Sequence, residues 1–304
     1  MVKSSFSPDI MKKLSSMVLF QLITALAFAQ SPWVKEKGEG YAQLGYSGIS
    51  NYTSIYSNST SSLPLERVIS DRTFQGYFEY GIHKRISIIA TIPIKHVTSG
   101  ELVNEQVSAI TNSGKITSFG NVELGARYQF YNGPVVASAQ LRLSAPTASY
   151  NSSTGLSTGL PAWGIEPLLS VGQGSKVIYG FLYGGAGFRT NNYSHYGRFG
   201  GEVGITFKQR IWFILFVDVV RSFRNGTVPE RDGNIQTGLY LNDQEYIGFG
   251  PKLAIEIIKD KFGLNVTVGA GASANNVARQ LSFSAGIYYK WKPKEKVVKN
   301  DSLN

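Results

Sequence analysis

The 304-residue chain has no cysteine and only three histidines. The first absence removes disulfides, thiolate metal sites and cysteine nucleophiles together, so an exported chain of this length must be held by its strands and its core. The second is nearly as restrictive. His83, His96 and His195 are dispersed and form no ligand cluster, so no metal is expected. A serine–histidine hydrolase would need His96, since His83 falls in a turn and His195 in a loop. The nearest serine, Ser99 in "HVTSG", is three residues away and off the strand face that His96 occupies. Enzyme activity is not expected. The glycines of "GEGYAQLG" follow no strand and open no helix, which excludes a phosphate cradle and leaves no cofactor to expect.

Beyond the first thirty residues there is no run of the roughly eighteen apolar residues that a membrane helix needs. A helical membrane protein is therefore excluded. The one apolar stretch, Leu14 to Leu26, follows Lys12-Lys13 and precedes Ala27-Phe28-Ala29, the pattern of a secretory signal over 1–29 cut before Gln30. Met11 is an alternative start to Met1. Acidic residues are also in short supply, 20 against 30 Lys and Arg, for a net charge of +10. The basic residues are scattered and the chain is exported, so nucleic acid is not an expected partner.

What the sequence does contain is alternation. In "FGNVELGARYQFYNGPVVASAQLRL", Val122, Leu124, Ala126, Tyr128 and Phe130 share one face of a strand. Val135, Ala137, Ala139, Leu141 and Leu143 share one face of the next. Asn132-Gly133 between them predicts a two-residue type I′ turn, which places Glu123 directly opposite Arg142 on the other face. Each arm runs for about ten to twelve residues, long for a soluble strand and enough for a tilted strand to cross a bilayer. The same period recurs along the chain to give about twelve strands, from Gly40–Ile49 to Gln280–Trp291.

The connections alternate too. His83-Lys84-Arg85, Asn132-Gly133, Gln173-Gly174-Ser175, Lys208-Gln209-Arg210 and Lys259-Asp260-Lys261 are tight; most of those between, such as Ser50 to Arg72, Val97 to Ser118 and Ser222 to Glu245, are long and polar. Short periplasmic turns and long extracellular loops produce that alternation. Aromatic residues collect on the apolar face near the tight turns, among them Tyr80, Tyr128, Phe213 and Trp291, while Tyr46, Phe74, Trp163, Tyr183 and Phe199 suggest a second girdle. The fold expected is all-β: a transmembrane antiparallel up-and-down barrel over 30–292, followed by a polar basic tail, 293–304. A soluble β-sandwich also alternates but does not account for the strand lengths or the loop pattern.

The stretches "YFEYGIHKRISIIATIPI" (Tyr77 to Ile94) and "FGNVELGARYQF" (Phe119 to Phe130) resemble the early strands of outer-membrane barrels of the MetA-pathway phenol-degradation, transporter-type family. That resemblance implies passive uptake of small apolar or aromatic solutes across the outer membrane of a diderm bacterium. The basic tail after Trp291 departs from the aromatic last residue common in such barrels. Expected partners are outer-membrane lipid, a small-molecule solute and the barrel-assembly machinery, and the chain is expected to act as a monomer.

If the apolar face meets lipid, the other lines the lumen. A charge network is predicted there from Glu79, Glu123, Arg127, Arg142, Glu166, Glu202, Asp218 and Lys252, either a selectivity ring or a structural lattice of paired charges. An apolar lumen sector is predicted at Ile178, Leu182, Trp212, Ile214 and Phe216, an opening for a ligand unless some loop covers it. The stretch Gln30 to Gly38 reads as too short to be a plug. Pro93 and Pro167, which remove ladder hydrogen bonds, predict bulges or breaks. A structural or surface-binding barrel with a plugged lumen is the competing reading.

Overall fold

The computed structural model describes residues 30–57, 61–104, 109–229 and 232–293. The signal expected over 1–29 and the tail beyond residue 293 lie outside the described residues.

The alternation produces a sheet that closes on itself. Its strands are β1 (Gly40–Ser57), β2 (Ser61–His83), β3 (Ile86–Leu102), β4 (Gly114–Phe119), β5 (Val122–Asn132), β6 (Val136–Ala145), β9 (Gly164–Gly174), β10 (Ile178–Arg189), β11 (Tyr196–Phe207), β12 (Ile211–Ser222), β13 (Glu245–Ile258), β14 (Phe262–Asn275) and β15 (Ser282–Trp291). A short hairpin, β7 (Tyr150–Asn151) with β8 (Leu156–Ser157), and one helical turn, α1 (Asp232–Thr237), lie in the loops. Every pairing is antiparallel, and β1 pairs with both β2 and β15 to shut the barrel. β4 and β5 both pair with β3 and are two halves of one stave, so the thirteen strands form a 12-strand barrel.

The split between β4 and β5 follows from Pro93. Lacking an N–H, it cannot continue the ladder. The partner strand bulges at Gly120-Asn121, with the Gly120 amide donating to the Pro93 carbonyl at 2.9 Å. Phe119 and Leu124 both point outward although one is odd and the other even, because the bulge absorbs one residue. The β9–β10 ladder likewise skips Glu166-Pro167.

Leu44, Phe74, Leu124, Leu169, Leu215 and Phe283 are among a belt of large apolar side chains left exposed around the outside. A sandwich would bury this face. Here it is the surface that hydrocarbon covers. At its turn end Trp291 lies 5.7 Å from Phe78, 6.5 Å from Tyr80 and 6.2 Å from Tyr289, ring centre to ring centre.

Three expectations need correction. The turn at Asn132-Gly133 is not type I′: neither residue has positive φ, and Asn132 pairs with Val136 across a three-residue loop. A two-residue turn would need the amide of Pro134 to donate to Tyr131, and proline has none. Paired positive φ angles of the type I′ kind occur instead at Lys208-Gln209 (50° and 55°) and at Asn191-Asn192 (58° and 60°). With a further register shift between Gln129 and Tyr131, Glu123 faces Ser144, and Arg142 faces Gly125. Second, much of Ser50–Arg72 and Val97–Ser118 is strand rather than loop, because β1, β2 and β3 run on past the apolar belt. These extensions carry no outward lipid-facing stripe, so the period that reveals a membrane strand is missing from them.

Third, the segment before β1 enters the barrel. Although short, it folds into the lumen: Ser31, Pro32, Trp33 and Lys35 are all buried. Arg127 Nη1 donates to the Trp33 carbonyl at 2.7 Å, and the Lys35 amide donates to Ser87 Oγ at 2.7 Å. One bulky indole fills the space that length alone seemed to deny.

Candidate functional site

The lumen has three storeys. The lowest, at the end of the tight turns, is apolar. The Trp33 ring meets Tyr179 and Phe181 edge-on at 6.0 and 5.9 Å, and Tyr179 in turn packs on Trp212 at 5.6 Å. Val136, Leu168, Tyr183, Ile214 and Ala254 complete the cluster. Of the residues expected in an apolar sector, Trp212 and Ile214 are buried here, and Phe216 on the same strand faces inward toward Gly269. Ile178 and Leu182 are not: they are 50% and 65% exposed on the outer surface. In "IYGFLYG" both faces are apolar, so hydrophobicity cannot choose between them; the hydroxyls do. Tyr179 Oη donates to Glu202 Oε1 and Tyr183 Oη to Asp218 Oδ1, each at 2.5 Å, and such partners exist only inside. Tyr183 is therefore a lumen residue and not part of the outer girdle. The apolar cluster thus keeps Trp212 and Ile214 but has Tyr179, Phe181 and Tyr183 where Ile178 and Leu182 were expected, and Trp33 packs over it.

The middle storey holds the charges, as three clusters rather than one ring. Arg127, fully buried, donates from Nη1 to Glu79 Oε1 at 2.9 Å and from Nε to Gln140 Oε1 at 3.0 Å. Lys252 Nζ pairs with Glu202 Oε2 at 2.7 Å. The third cluster joins Arg142, Glu123, Glu166 and Asp218. Arg142 bonds chiefly to Glu166, which stands directly across from it on β9, and reaches Glu123 diagonally at 3.4 Å. Arg198, absent from the predicted network, clamps Asp218 through Nε and Nη2, both at 2.9 Å, and reaches Glu166 at 3.8 Å. Its parity with Glu202 on the same strand was the available clue. Tyr246 also donates to Asp218 at 3.0 Å. Charges so thoroughly paired are tolerated in a lumen, and removing one partner strands the other.

Above them a cavity of about 420 Å³ opens within the barrel, lined by Glu123, Arg142, Glu166, Lys95, Arg189 and Tyr196 together with apolar groups such as Leu160 and Ala162. Its roof is a cap with its own core: Tyr52, Ile55, Leu65, Ile69 and Val97 of the extended strands pack on Leu156, Leu239 and Leu241 of the loops. Gly238 ends α1 with φ +66° and donates its amide to the Asn234 carbonyl at 2.7 Å; a Cβ there would lie 2.5 Å from Ile55 Cγ2. Tyr240 follows at once. It lines the cavity on one side and an outer cleft of about 250 Å³ on the other, with the Lys95 ammonium 5.2 Å over its ring. Burial pushes the Tyr240 hydroxyl above its usual range, with Lys95 opposing. Lys95 itself pairs with Asp71 at 2.8 Å. Among the described residues no group of three His, Asp or Glu is placed to hold a metal.

Comparison with solved structures gives the same architecture. The chain resembles the COG4313 outer membrane channel from Pseudomonas putida F1, with a TM-score of 0.63 at 15% identity, over 85% of this chain and 97% of that one. A KdgM porin in complex with disordered oligogalacturonate (TM-score 0.49, 10% identity, 82% and 99% covered) and the CymD monoaromatic hydrocarbon channel (0.43, 10%, 85% and 90%) are more distant. No protein-family model and no curated protein matches the chain. The likeness is one of fold: a closed outer-membrane barrel.

Proposed function

We propose that this protein is an outer-membrane channel for passive uptake of small solutes with an apolar or aromatic body, acting as a monomer and without catalysis. The observation that carries the reading is the cavity of about 420 Å³ inside a membrane-type barrel, in the size range of small-molecule sites and lined by both apolar and charged groups. No nucleotide motif or separate coupling domain is evident in the chain, so the solute's own gradient would drive transport. The barrel domain assigned to 30–292 contains every element this needs.

The test is flux into vesicles reconstituted with refolded protein, using benzamide and other small neutral aromatics. Uptake above that of protein-free vesicles supports the channel. Silence in both the wild type and a form lacking residues 30–36 would discard it. The second reading, a plugged barrel whose surface binds a partner, is favoured by one observation: both the aromatic storey and the capped mouth are closed in this structure. The shortened form separates the two, since only a channel gains flux when its plug is removed.

A further inference from the structure

Resting on the channel reading, we infer that the cavity is a recognition site for small carboxylates carrying an apolar body, with Arg189 as the anion receptor. Three cations line it, Lys95, Arg142 and Arg189, against two carboxylates, Glu123 and Glu166. The other charges are committed elsewhere. Lys95 is held by Asp71, Arg142 by Glu166 and Glu123, and Glu166 also accepts from Tyr196 Oη.

Arg189 differs. Its guanidinium lies 4.4 Å over the Tyr196 ring, and among the described residues no carboxylate pairs with it. The ring beneath is fixed, because its hydroxyl is bonded to Glu166. Stacking on an aromatic face leaves the in-plane N–H donors of a guanidinium available, and their fork matches a carboxylate. The apolar part of the lining, Leu160 and Ala162 with the Tyr240 ring, gives the rest of such a solute a surface to rest on. Tyr240 also lines the outer cleft, and the 157–162 segment borders both spaces, with Thr158 and Leu160 on the cavity and Ser157, Gly159 and Pro161 on the cleft, so a thin wall separates the receptor from that cleft.

The test uses the refolded full chain and two isosteric probes, benzoate and benzamide, measured by equilibrium titration. Wild type is expected to bind benzoate on the order of tenfold more tightly than benzamide, the worth of one charge-assisted hydrogen-bonded contact. Arg189→Met should bring the ratio close to one, and Arg189→Lys should keep a preference for benzoate. Heat-modifiable mobility on gels verifies that each variant is folded. Equal binding of the two probes by wild type, or an unchanged ratio in Arg189→Met, overturns the inference. Vesicle flux of benzamide is read separately: flux with no benzoate preference removes the receptor and leaves the channel, whereas benzoate preference with no flux keeps the receptor and removes the channel.

Discussion

The two ends of the lumen are shut by opposite means. At the turn end the stopper is a stretch of fewer than ten residues, fixed by one indole in an aromatic cage and by hydrogen bonds to its backbone. At the loop end the closure is broad, a second hydrophobic core built from extended strands and three loops. A closure that depends on one side chain and a few polar contacts can leave as a unit without disturbing the wall. One woven from the strands themselves can only loosen locally. The turn end is thus the better candidate for the moving part, and the loop end for the filter.

The largest effect expected comes from removing the small stopper. Deleting residues 30–36 should raise single-channel conductance several-fold in planar bilayers; an unchanged conductance would mean that the narrowest point lies elsewhere, and the contrast between the two ends would lose its functional meaning. Next, Glu79→Gln strands the buried Arg127 that anchors the segment and should cost about 3–5 kcal/mol, read as a lower urea midpoint. Leu156→Ala in the cap should cost about 2–5 kcal/mol. That cost falls on the cap, so limited proteolysis of the 223–244 loop should quicken while the urea midpoint of the barrel stays near wild type. A matching fall in both would show that cap and barrel form one cooperative unit.

The smallest effect is a pH dependence confined to the turn end. Burial holds the Lys35 ammonium down at about 8, with Glu79 opposing and Lys290 and Arg127 reinforcing. Its affinity for protons is therefore lower with the segment seated than in solvent, and seating is penalised while Lys35 is charged. That penalty is fully present below pH 8 and is relieved as pH rises from there toward the ordinary lysine value of 10.5. The seated fraction should rise with pH, so conductance should fall between about pH 8 and pH 10.5. Lys35→Met should abolish the slope.

Much of the barrel was legible because lipid imposes a strict rule. Where a strand borders hydrocarbon, its outward residues must be apolar, and Val122 to Phe130 display the rule with little noise. Where that pressure ends, so does the signal: β1 and β2 continue through Tyr52, Ile55 and Leu65 without alternating for lipid, and they read as loop. Inside the barrel the charged residues were recognisable one by one, since each sits at inward parity. Their pairing was not, because a three-residue turn in place of two, with a register shift between Gln129 and Tyr131, moved Arg142 away from Glu123 and left Glu166 as its main partner. β10 failed for a different reason. Being apolar on both faces, it is oriented by two phenolic hydroxyls whose partners lie on β11 and β12.

The bond from Arg127 to the Trp33 carbonyl joins positions 94 residues apart, and the indole rests on strands still later in the chain. Residues that emerge early during export can therefore find their place only after most of the wall has been laid down. Because contacts of such long sequence separation form late, docking of Trp33 would report that β6, β9, β10 and β12 have assembled in register. In a barrel without disulfides it would act as a final proof of correct closure.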